Sequence, residues 1–190
     1  MIILISGSSC TGKTLLAQTL LETYHIPYVS IDHLKMGLYR GNPDCGFTPL
    51  DSTEQIGSKL WPIVKGMIMT AIENRQHLII EGCYVLPRHV KEELEETYAE
   101  HVIPVFLGFS ERYIEDNFDS KIITHRNVVE TRAYPEDRTV SQHISEHQRF
   151  RQQCAEHDVP YFEIDQHYEP EIRKVYNYIE EQRRSLERRA

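Results

Sequence analysis

Eight consecutive residues near the start of the chain, Gly7-Ser8-Ser9-Cys10-Thr11-Gly12-Lys13-Thr14, spell G-x-x-x-x-G-K-T. Between a strand and a helix, this spacing is a phosphate-binding (Walker A) loop. Gly7 and Gly12 allow a tight turn and keep a Cβ from standing between backbone and phosphate oxygens. The N–H groups of Ser8, Ser9, Cys10 and Thr11 can then point inward as an anion nest. A helix that begins at Lys13 adds its positive dipole end. Lys13 is the residue to bridge the β- and γ-phosphates of ATP, and the Thr14 hydroxyl the one to ligate Mg²⁺. Cys10 reads as a small loop residue.

The elements around the loop suit that chemistry. Ile- and Val-rich runs at Ile2–Ser6, Tyr28–Ile31, Leu78–Glu81, Val102–Gly108 and Tyr161–Ile164 lack polar alternation, as strands buried on both faces do. Segments long enough for helical crossovers separate them, which implies a parallel α/β sheet with helices on both faces. Lys13–Tyr24 is one such helix. Ser52 and Gln55 form a capping box ahead of an apolar stripe reaching Ile72, and Pro62 within it predicts a kink or a second start. Leu86–Glu100 reads as an acidic, solvated helix and Val140–Glu156 as another. A last helix opens at Glu169-Pro170-Glu171 and ends in Arg183, Arg184, Arg188 and Arg189, which suits the helix dipole at both ends. Gly41–Asp51 reads as loop. Glu111–Thr139 is charged and weakly periodic, the pattern of a functional insertion.

In a parallel sheet the ligand lies at the carboxyl ends of the strands. Asp32 and Glu81 end the second and third runs and so converge on the phosphate loop, although Asp32 also suits a helix N-cap. His143 and His147, four apart on one helix face, read as half-buried structural histidines. Tyr39, Phe47, Trp61 and Tyr84 are candidates to line an acceptor pocket, with core packing an equal reading for Trp61.

The loop, the acid after strand two, the Glu81-Gly82 pair after strand three and the charged segment after strand four resemble the small P-loop kinases. These are the adenylate, shikimate and gluconate kinase-like proteins and the zeta-toxin-like kinases. The resemblance spans nearly the whole chain. It implies a three-layer P-loop NTPase fold with a five-stranded parallel sheet in the order 2-3-1-4-5. It also implies a metal role for Glu81 beside Thr14, an acceptor-orienting role for Asp32, and a lid over about 111–139 whose arginines reach the transferring group. Of Arg112, Arg126, Arg132 and Arg138, the mid-segment Arg126 and Arg132 are the chosen pair. The segment Glu81-Gly82-Cys83-Tyr84-Val85-Leu86-Pro87-Arg88 departs from the D-G-x-P-R of many nucleotide kinases, which argues against a nucleoside monophosphate acceptor.

Composition narrows the function classes. A chain of 190 residues suits one domain. Its formal charge of −8, from 21 Lys and Arg against 29 Asp and Glu, argues against a nucleic-acid partner. No run approaches the roughly 20 apolar residues of a membrane span. Four cysteines without metal or redox spacing suit free thiols in the cytoplasm. No guanine-reading N-K-x-D and no L-S-G-G-Q signature is found. The expected function is ATP- and Mg²⁺-dependent transfer of a γ-phosphoryl group to the hydroxyl of a small molecule. A nucleotide-binding regulatory module without acceptor chemistry is the alternative. Within the kinase class, a sugar-nucleotide or nucleotide acceptor remains open.

Overall fold

In the computed structural model, which describes residues 1–126, 128–129 and 137–189, five parallel strands form one sheet. They are β1 (Ile2–Gly7), β2 (Tyr28–Ser30), β3 (Leu78–Glu81), β4 (Val102–Phe109) and β5 (Tyr161–Ile164), in the order β2-β3-β1-β4-β5. This is the expected order and the expected set of strands, with ends shifted by one residue. β1 lies between β3 and β4, paired Ile5 to Glu81 and Ile5 to Val105. Every residue of β1 is buried, which explains its uninterrupted apolar text.

The helices are α1 (Lys13–Tyr24), α2 (Ile31–Gly41), α3 (Thr53–Glu73), α4 (Glu96–Ala99), α5 (Glu111–Asn117), α6 (Val140–Glu156) and α7 (Tyr168–Glu187). Two apolar clusters sandwich the sheet. One joins Ile2 and Leu4 to α3 through Leu60, Val64 and Ile68. The other joins Ile3 and Ile5 to Leu16 and Leu20 of α1 and Val175 and Ile179 of α7. Alternate residues of β1 thus feed opposite layers, the period-two rule of a strand. No helix among the described residues is long and apolar enough to cross a membrane.

The α3 capping box is present: Ser52 accepts from the Gln55 N–H, and the Gln55 side chain accepts from the Ser52 N–H. Pro62 does not divide this helix. It lies on the exposed face, where water can satisfy the carbonyl it leaves without a donor. Leu86–Glu100 is not one helix. A π-helical turn covers His89–Glu93, Leu94 is extended and buried, and α4 is a single turn. Glu92, Glu93, Glu95 and Glu96 would repel one another at helical spacing, and His89 already takes the Leu86 N–H at 3.1 Å.

Gly7 ends β1 at φ +116°, and a Cβ there would lie 2.1 Å from the Leu107 carbonyl oxygen of β4. Its necessity therefore comes from the neighbouring strand as much as from any phosphate. Gly7→Ala combines a strained φ with overpacking against backbone, an expected loss of about 2–6 kcal/mol. Urea unfolding checks it, and an unchanged midpoint would refute the account.

Candidate functional site

The loop Gly7–Thr14 leaves β1 beneath β3 and β4, as its pattern requires. The Ser8 N–H is spent on the sheet, donating to the Leu107 carbonyl at 3.0 Å. Ser8 is therefore a frame for the loop, whatever its carbonyl does. That carbonyl receives both the Lys13 ammonium and the Thr11 hydroxyl, the latter at 3.0 Å. Cys10 and Gly12 adopt left-handed backbone, at φ 61° and 83°. Gly12 has the further reason that a Cβ would meet the Tyr168 hydroxyl at 2.0 Å. That hydroxyl donates to the Thr11 carbonyl at 3.3 Å. α1 begins with neither a side-chain cap nor an acid in its first turn, whereas α3 and α6 carry full capping boxes. Among the described residues its first N–H groups thus have no side-chain cap, an arrangement able to take an anion.

Glu81 closes β3 in register with Ile5 and with Ser30 of β2, so the sheet itself fixes its place beside the loop. It is 2% exposed. Its Oε2 accepts from the Thr14 hydroxyl at 3.3 Å, and its Oε1 has no partner of normal hydrogen-bond geometry among the described residues. Burial pushes the carboxyl above its usual range, against the pull of the Ser30 hydroxyl and the Lys13 ammonium, while Asp32 adds to the push. A buried, incompletely satisfied carboxylate next to a hydroxyl fits Mg²⁺, which takes one or two protein oxygens and leaves its other positions to phosphate and water. Thr14 and Glu81 are thus the pair that can hold it.

This arrangement has a stability cost with a definite sign. A carboxyl whose pKa is raised on folding gives full stability below its unfolded pKa and loses it as pH rises through the folded value. Without metal, Glu81→Gln should therefore melt higher than wild type at pH 7, with the difference vanishing toward pH 4. A differential scanning calorimetry series checks this. A variant that melts lower at pH 7 would contradict the cause given for the shift.

Asp32 is neither the end of β2 nor a cap. β2 stops at Ser30, which takes the N-cap position, and Asp32 lies in the first turn of α2. Ile31 is drawn into the core there, which starts the helix one residue before Asp32. An acid in the first turn also suits the dipole. The Asp32 side chain is 44% exposed and pairs at 2.9 Å with the Lys35 ammonium, which donates to the Tyr84 hydroxyl at 2.6 Å as well. Asp32 and Glu81 do converge: both line one cavity of about 360 Å³ with the residues Ser9–Thr14. Its apolar walls include Phe109, Tyr113, Ile122 and Tyr168.

Arg126 also lines this cavity, and Arg132 lies outside the described residues. Arg112 is on the surface, paired with Asp116 at 3.7 Å. Among the described residues, Arg138 is an arginine that hydrogen-bonds the loop. It donates to Glu146 of α6 at 2.7 Å and to the Ser9 hydroxyl at 3.2 Å. Glu146 in turn accepts from the Ser9 N–H and from the Ser9 hydroxyl, each at 2.9 Å. Burial would raise the Glu146 carboxyl, but the Ser9 N–H and Arg138 hold it below the usual carboxylate range.

The other candidates are structural. Trp61 is buried and stacks on His89 at 4.7 Å, Phe47 and Tyr84 belong to the α3-side core, and Tyr39 is exposed. None lines the cavity. His143 and His147 are fully rather than half buried. His147 accepts from the Phe109 N–H at 2.8 Å, and burial pushes its pKa down to about 3, so it stays neutral and ties α6 to the end of β4.

No protein-family model matches the chain, and no curated protein sequence does either. Solved structures do match across nearly its whole length. A shikimate kinase from Bacteroides thetaiotaomicron is 13% identical over 95% of this chain and 98% of that one, with a TM-score of 0.56. A gluconokinase from Sinorhizobium meliloti is 14% identical over 99% and 96%, at 0.55. A sugar kinase from Janibacter is 14% identical over 94% of each, at 0.51. At these identities the likeness is one of fold, and the fold is that of the small P-loop kinases.

Proposed function

We propose that this protein is an ATP- and Mg²⁺-dependent kinase that transfers the γ-phosphoryl group to the hydroxyl of a small molecule. The observation that carries the reading is the meeting of three groups at one cavity: the phosphate loop, the Thr14–Glu81 pair and the Asp32 carboxylate. A module that only bound nucleotide would need the first two. The carboxylate of Asp32, held by Lys35 and partly open to the cavity, is what an acceptor hydroxyl needs.

In this reading the loop N–H groups, the α1 dipole and Lys13 neutralise the phosphates. Mg²⁺ on Thr14 and Glu81 supplies further charge neutralisation. Asp32 orients the acceptor hydroxyl and takes its proton. The described part of the segment, residues 111–126, walls the site and limits water, which would otherwise compete as acceptor, with Arg126 on the cavity wall; Arg132, the second arginine assigned this role, lies outside the described residues. The base of the segment is anchored, since Tyr113, Ile114 and Ile122 are buried.

Two measurements test this. ATP with Mg²⁺ should raise the melting temperature, because a ligand bound only by the native state adds about 2.7 kcal/mol at 100 times its dissociation constant. Purified protein with ATP, Mg²⁺ and a pool of small metabolites should then yield a new phosphorylated species by mass spectrometry. A clear thermal shift without any phosphorylated product would favour the binding module instead.

A further inference from the structure

One loop N–H is already in use, and by a carboxylate of the chain itself. Ser8 gives its N–H to β4, so Ser9 is the first residue of the loop whose N–H leaves the sheet. That N–H meets Glu146 Oε1 at 2.9 Å, the Ser9 hydroxyl meets the same oxygen, and Arg138 meets Oε2 at 2.7 Å. Three donors thus aim at one anionic group. Glu146 is partly buried, with 15% of its side chain exposed, and it reaches the loop across 137 residues of sequence.

The position of this anion within the loop has a meaning. The N–H groups where α1 begins receive the inner phosphates, and the lysine ammonium reaches the β- and γ-phosphates. The Lys13 ammonium lies on the Ser8 carbonyl, one edge of the same trans peptide group whose opposite edge presents the Ser9 N–H, and Ser9 lines the cavity together with Lys13. Ser9 therefore faces the outer, γ-phosphate end of the cradle. An N–H carries one proton, so a phosphoryl oxygen can take it only when Glu146 releases it. A carboxylate left beside the phosphate would also repel it.

We propose that Glu146 is an internal surrogate for the terminal phosphoryl group. It holds the Ser9 N–H and Arg138 aimed at one anionic position, and it gives way when a γ-phosphate arrives. A nucleoside diphosphate does not reach this position and leaves the Glu146–Ser9–Arg138 triangle intact. Glu146 thereby sets the balance between nucleoside triphosphate and nucleoside diphosphate affinity. Arg138, already aimed at this position, adds its positive charge there toward the γ-phosphate. The inference rests on the kinase reading of the site.

Isothermal titration of the full chain with Mg²⁺ and either ADP or the non-hydrolysable imido analogue of ATP tests it. Glu146→Gln, which keeps the side-chain shape, and Glu146→Ala should each bind the triphosphate analogue about tenfold tighter or more. ADP affinity should stay within about twofold. Arg138→Ala should shift the ratio the other way, weakening the analogue and sparing ADP. If the Glu146 variants change both nucleotides by the same factor, change neither, or weaken the analogue, Glu146 is only a strap between α6 and the loop and the inference is wrong. If wild type and variants alike bind no nucleotide, the kinase reading itself falls, and the inference with it.

Discussion

Lys13→Ala is expected to lower phosphoryl transfer by about 10³–10⁵-fold, the range in which a cation on the transferring group acts. Lys13 is 9% exposed, and among the described residues its ammonium hydrogen-bonds groups of the loop, the Ser8 carbonyl and the Thr11 hydroxyl. The variant should nonetheless fold. The Ser8 carbonyl keeps the Thr11 hydroxyl as a donor, so truncation leaves no buried acceptor without a partner. Circular dichroism should therefore match wild type while transfer, followed by phosphate-specific mass spectrometry, is lost. Wild-type turnover in this variant would remove the loop from the mechanism.

The difference between what the sequence discloses and what it hides follows from how far each contact reaches. The strands themselves and the position of Glu81 were readable because both depend on local text, an apolar run and then an acid and a glycine, whereas the strand order followed only from the family resemblance. The loop was readable because eight contiguous residues make it. Asp32 was misplaced by a boundary effect. Val29-Ser30-Ile31 has the residue types of a strand, yet the burial of Ile31 against the core turns the chain into α2 after Ser30. Lys35 was within reach, since a lysine three residues after an acid on a helix meets it. Tyr84, which completes that pair, was singled out for the wrong task.

Glu146 was out of reach. It is one acid on a charged helix, and nothing in Ser145-Glu146-His147 marks it as a partner of Ser9. Only the packing of α6 against the end of β4, fixed by His147 on the Phe109 N–H, brings it to the loop. Arg138 had a usable sign. Thr139 and Gln142 form a capping box, so the start of α6 could have been fixed and Arg138 placed immediately before it. The mid-segment arginines were chosen by position in the text, whereas proximity to the loop is decided by where the following helix begins.

Asp32→Asn is expected to lower transfer by about 10²–10⁴-fold, the usual worth of general-base assistance, while leaving ATP affinity and melting temperature near wild type. The stability half of this statement follows from the position of Asp32. It is not the N-cap of α2, so no cap is lost. Its side chain is 44% exposed, so although its i,i+3 partner Lys35 is only 11% exposed, solvent screens the Asp32 charge and the loss stays near the upper end of a surface pair, about 1 kcal/mol. The amide of Asn can still accept from Lys35, and Lys35 keeps the Tyr84 hydroxyl. ATP affinity should hold because Asp32 touches none of the loop donors. The Asn amide cannot take a proton from the acceptor hydroxyl, so the deficit should appear in kcat. It should not be recovered by raising the ATP concentration. Transfer at the wild-type rate would show that Asp32 serves the first turn of α2 alone. The acceptor-side role would then have to be sought elsewhere on the cavity wall, with Glu81 the next candidate.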